Sequence, residues 1–131
     1  DADIIRQLDK KCQVGYTPGD RESQKAFLKA NQEIHMTIAR ATNNQRLVMT
    51  YERLLDDMFR MLFFGMSMSN KSDEWKHGHG DLLSALMTGD SETAMKITRD
   101  HLISTKQAVI SAALESPGLT DVNLTPLRAV K

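Results

Sequence analysis

Apolar residues in this chain recur at the three-and-four spacing of helices. No stretch alternates apolar and polar residues over the length of a strand. Five helical segments follow. Residues 2–13 read as the end of a first helix, and Gly15-Tyr-Thr-Pro-Gly-Asp20 as a loop dense in turn formers. A second helix is expected over about 23–42, with Phe27, Leu28, Asn31, Ile34, His35, Ile38 and Thr42 on its inward stripe. Asn43-Asn44 breaks it, since Asn tolerates the left-handed conformation and also caps a new start. The third helix, about 45–65, carries Leu47, Tyr51, Leu54, Leu55, Met58 and Leu62 on one face. Phe59, Phe63 and Met66 widen its apolar surface, as in a helix that is central or part of an interface. After a polar connector, 66–72, a fourth helix is expected over about 73–87, with Trp75, His79, Leu82, Leu83 and Leu86 sharing a face. Gly89-Asp90 separates it from a fifth helix, about 91–114, whose inward positions are Ala94, Thr98, His101, Leu102, Thr105, Val109 and Ala112. Ser116-Pro-Gly118 stops that helix. The pattern predicts an all-α, antiparallel helical bundle over residues 1–116 and a flexible tail over 117–131.

The polar residues inside those stripes carry the chemistry. His35, His79 and His101 fall on the inward faces of three different helices. A buried polar group without a partner costs about 1–3 kcal/mol, so each ring needs one. The three can satisfy one another through a shared ion, a shared ligand or trapped water; alternatively each bonds a carbonyl or a water by itself. Neutral imidazole suits zinc, nickel, copper or iron, and three such ligands leave a coordination position open. Asn31, four residues before His35, projects beside it as a fourth group, whereas Glu33 lies on the opposite side. His77 points away from His79. Gly78 and Gly80 weaken the helix around His79 and suggest a close backbone approach there. Arg53 and Arg60 share a strip of the third helix away from its leucines. Such a pair can hold a carboxylate bidentately or simply face solvent.

Composition narrows the function classes. The 131 residues suit one domain, and 17 Lys+Arg balance 17 Asp+Glu, so this piece lacks the basic excess of a nucleic-acid-binding surface. The single Cys12 excludes an internal disulfide and suits a reducing, cytoplasmic setting. No apolar run is long enough to span a membrane. The chain starts at Asp1 rather than Met, which suggests a piece of a longer protein. There is no phosphate-binding glycine loop, cysteine cluster or nucleophile elbow. Asp81 and Asp100 adjoin histidines in sequence but project away, so no general base stands out beside the proposed site, which argues against an enzyme.

Several segments resemble one known domain. Asn31-Gln-Glu-Ile-His35 followed by Ala41-Thr-Asn-Asn44 resembles the "DxxFH…a-x-G-N" segment of the FCD domain, the C-terminal effector-binding and dimerisation domain of FadR-type regulators in the GntR family. His79-Gly-Asp-Leu-Leu-Ser-Ala-Leu86 with Gly89-Asp90 resembles its "EHxxIlxAixxgD", and His101-Leu102 its closing "HL". The separations, 44 residues from His35 to His79 and 22 from His79 to His101, agree with it. The resemblance covers about residues 1–114. It implies a bundle of six or seven helices, the first missing here, and a cavity in which an Asp and three His bind a divalent metal, zinc or nickel, completed by a small organic acid. By that resemblance His35, His79, His101 and Asn31 are the metal ligands; Arg53 and Arg60, from their shared strip, and Asn44 are the candidate effector contacts. It also implies a homodimer and a preceding winged helix-turn-helix that binds operator DNA. Two positions depart from the pattern. Asn31 replaces the Asp of metal-binding members, and Gly78 replaces a Glu. The rival readings are a small metalloenzyme on the three-histidine site and a ligand-free helical interaction module.

Overall fold

The computed structural model describes residues 2–68 and 78–115. Among them the chain forms five helices and no strand: α1 (Ala2–Val14), α2 (Arg21–Ala41), α3 (Gln45–Met68), α4 (Gly80–Thr88) and α5 (Ser91–Glu115). Residues 69–77, which include Trp75 and His77, and the expected tail at 117–131 lie outside the described residues.

Short polar side chains set the helix starts. The Asp20 carboxylate accepts the backbone N–H groups of Glu22 and Ser23 at 3.0 and 3.2 Å, so α2 begins at Arg21, two residues before the expected start. Asn43 takes the left-handed conformation at φ 52°, and the Asn44 side chain accepts the Leu47 N–H at 3.1 Å, turning the chain from α2 into α3. Gly89, at φ 73°, ends α4, and Asp90 accepts the Thr93 N–H at 3.0 Å to start α5.

α2 is the central element. It packs against both α1 and α3, while α5 packs against α3 and α4, and α1 also touches α4. Burial on α2 therefore extends beyond the single stripe of Phe27, Leu28 and Ile34 to Ala30, Met36, Thr37 and Ala39. The main core joins α1, α2 and α3 through Ile5, Cys12, Phe27, Leu28, Ile34 and Met66, with Leu83 and Ala112 closing it from α4 and α5. Tyr16, in the loop after α1, tilts against Phe27 with ring centroids 5.6 Å apart.

Three local expectations change. α3 runs on to Met68, through the start of the expected connector. α4 starts at Gly80, so His79 is its N-cap rather than a mid-helix residue. Gly78 and Gly80 bracket that start and make no close approach: a Cβ added to either would meet nothing within 4 Å. The stripes of α3 and α5 are also only partly covered. Leu54 and Leu102 are each 53% exposed, because α3 meets α2 and α5 along a narrower strip than its apolar face provides.

Candidate functional site

The three histidines do meet. The rings of His35 from α2 and His79 from the head of α4 stand edge to face, with centroids 5.3 Å apart. His79 makes a second such contact with His101 of α5, at 5.9 Å. His79 is therefore the middle ring, and it is 1% exposed. The three line a cavity of about 70 Å³ together with Asn31, so all four proposed ligands share one small space. Tyr51, Thr98 and Thr105 add hydroxyl groups to the wall, while Leu28, Leu55 and Phe59 are among its apolar members. Among the described residues no Lys or Arg lines it.

The surroundings favour the neutral form of His35 and of His101. Burial, then the nearby His79 and His101, push the His35 imidazole down to about 4. Burial followed by His79 lowers His101 as well, against a smaller upward pull from Asp100. Asp100 and Asp81 are exposed, in keeping with their expected outward direction.

A fourth participant carries no sequence motif. Asp9, buried on α1, accepts the backbone N–H of His79 at 2.8 Å through Oδ1, and the same oxygen lies 3.0 Å from His79 Nδ1. Its Oδ2 accepts Gln13 Nε2 at 2.8 Å. Both carboxylate oxygens thus act as acceptors, and Nδ1–H is the tautomer that completes the set. A carboxylate at the N-terminal end of α4 also meets the positive end of the helix dipole. The available sequence signal is spacing alone: Ile5, Asp9 and Cys12 fall at i, i+4 and i+7, which places a charge on a buried stripe.

The donor set is three imidazoles and one amide oxygen, a combination suited to zinc or nickel. Imidazoles bound to one ion at about 2.0–2.1 Å place their ring centres roughly 5 Å apart, close to the separations here. Metal-bound histidines commonly donate their second nitrogen to a carboxylate, as His79 does to Asp9. As the side chains stand, no three His, Cys, Asp or Glu among the described residues have their donor atoms gathered for a metal ion. The residues fit the ion in type and in ring separation.

The family model of the FCD domain matches residues 1–104. The chain belongs to the FCD domain family. This is the C-terminal domain of GntR-family regulators, and it assigns the protein to transcription regulation as an effector-binding domain. No curated protein and no solved structure shows significant similarity to the chain. The FCD bundle is all-α, as the periodicity predicted, and no described helix is long and apolar enough to cross a membrane.

The remaining candidates of this FCD domain fall elsewhere. Arg53 and Arg60 are exposed on α3 and do not line the cavity. Arg60 pairs instead with Asp57, one turn earlier on the same helix. Asn44 serves as the cap of α3. The periodicity sets both arginines apart from the leucine face, and that face is the one turned toward the histidines. Glu33 likewise lies outside, paired with Arg40 at 2.6 Å.

Proposed function

We propose that this FCD domain senses a small organic acid in the three-histidine cavity, on a divalent ion such as zinc or nickel. His35, His79 and His101 would hold the ion, with the Asn31 amide oxygen as a weaker fourth ligand. The ion would supply positive charge and an open position for a carboxylate. The described wall supports that need: among the described residues no Lys or Arg lines it, and His35 and His101 are held toward the neutral form, so these groups offer an acid little counter-charge. The single observation that carries the reading is the contact of His79 with both other rings around one cavity.

In this reading the domain belongs to a FadR-type regulator, acts as a homodimer in the cytoplasm, and couples the cavity to a winged helix-turn-helix on operator DNA. Occupancy of the cavity would favour one arrangement of α2, α4 and α5. The coupling to DNA affinity is then reciprocal and bounded by the ligand's differential affinity for the two states. The site is a sensing site rather than a catalytic one, the role that FCD membership carries.

Calorimetric titration of chelator-stripped protein with zinc and nickel, followed by di- and tricarboxylic acids, tests the proposal. One tight metal site per chain is expected, with acid binding that depends on it. Each of His35→Ala, His79→Ala and His101→Ala should weaken both. Unchanged binding in all three variants overturns the assignment.

A further inference from the structure

We infer that Asp9 is a positioning residue of the histidine site: its carboxylate locks His79 in the Nδ1–H tautomer and so reserves Nε2 for whatever the cavity holds. The contact is between residues 70 apart in sequence, and both are buried. Asp9 grips His79 at two points, the backbone N–H at 2.8 Å and the ring nitrogen at 3.0 Å. Two hydrogen bonds to one oxygen fix both the place where α4 begins and the rotation of the ring. The Gln13 amide, 2.8 Å from Oδ2, holds the carboxylate plane from the other side.

The chemistry of imidazole gives this grip a consequence for binding. A neutral ring has one N–H and one lone pair, and the proton's position decides which nitrogen can accept a metal or a donor group. The carboxylate oxygens of Asp9 already receive N–H donors, so Nδ1 carries the proton and the lone pair sits on Nε2. Without that partner the tautomer is set by local solvation, and a fraction of the rings would present a proton to the cavity in place of a lone pair. Asp9 thus acts through His79, as carboxylates behind metal-bound histidines commonly do. It also ties α1 to the head of α4, two elements with little other contact.

The tautomer claim stands on the two hydrogen bonds; the effect on affinity rests on the metal reading above. Nitrogen-15 long-range NMR of chelator-stripped, labelled protein separates the two. In the unsubstituted protein His79 should show a protonated Nδ1 and a lone-pair Nε2. Asp9→Ala should shift the ring toward Nε2–H and lower zinc affinity by about 10–100-fold. Asp9→Asn, whose amide oxygen still accepts both N–H groups, should keep Nδ1–H and recover part of the affinity. If Asp9→Ala does not fold, Asp9→Asn alone decides: retained Nδ1–H with zinc affinity within about tenfold of the unsubstituted protein supports the assignment, and retained Nδ1–H with a larger loss, or a switch to Nε2–H with no loss, overturns it. An Nε2–H ring in the unsubstituted protein, or an Asp9→Ala protein that keeps both tautomer and affinity, also overturns it. Failure of the unsubstituted protein to bind zinc removes the metal reading and leaves the tautomer result to judge Asp9.

Discussion

The His35 ring stands edge-on to the His79 ring, centroids 5.3 Å apart and planes at 77°. Two imidazoles in such contact resist a second positive charge, and burial resists the first.

Burial of His35, reinforced by this contact, makes the ligand-free protein acid-sensitive. His35 titrates near 4 when folded and near its ordinary 6.5 when unfolded. Between those values the unfolded chain binds more protons, so stability is complete above about pH 6.5, falls as the pH drops toward 4, and levels off below. Lowering a histidine from 6.5 to about 4 corresponds to roughly 3 kcal/mol at most. Urea midpoints of chelator-stripped protein at pH 7, 5.5 and 4.5 should decline in that order, with a shallower decline for His35→Gln. A flat profile for the unsubstituted protein would contradict the burial of the ring.

Asn31→Asp should strengthen metal binding. Asn31 lines the cavity one helical turn before His35, and the substitution replaces an amide oxygen by a charged one without changing shape. Zinc affinity measured by competition with a chromogenic chelator is expected to rise by about tenfold or more, since ligand charge is a main determinant of cation affinity. An unchanged constant would place Asn31 outside the ligand set.

Cys12 should be chemically silent. It is 1% exposed, and burial, helped by the neighbouring Asp9, pushes its thiol up to about 12. At pH 8 roughly one molecule in ten thousand then carries a thiolate. Reaction with an aromatic disulfide reagent should be very slow in the folded protein and complete on unfolding. Rapid labelling under native conditions would show that α1 detaches readily.

Ile34 and Leu102 should differ sharply. Ile34 is fully buried, and Ile34→Ala should cost about 2–5 kcal/mol. Leu102 is 53% exposed, so Leu102→Ala should stay within about 0.5 kcal/mol. Thermal denaturation of both variants checks the pair. Equal losses would mean that the α3–α5 face is covered in solution.

Much of the site is legible in the residue pattern, for identifiable reasons. The helical period alone puts His35, His79 and His101 on inward faces. Turn chemistry at Asn43, Asn44 and Gly89 marks the joints to within a few residues. Asp9 is legible only as a charge on the Ile5–Cys12 stripe; its role is not, because its partner is 70 residues away. The N-cap place of His79 is hidden by an apolar stripe that continues past the helix start. Leu54 and Leu102 read as inward because periodicity says which positions share a face and is silent on what covers it. The functional assignment comes from motifs in order along the chain, and the family match bears out the FCD part of it.

The central position of α2 has a dynamic consequence. Its backbone is walled by α1 on one side and α3 on the other, whereas α5 buries only Ala94 and Ala112 outright. Amide protons of α2 should therefore exchange slowest, and those of α5 should open in cheaper, local excursions. A guest gripped between His35 and His101 would bridge the most and the least protected helices. Its message to the rest of the protein would then be a change in how often α5 comes loose, with little shift in average shape.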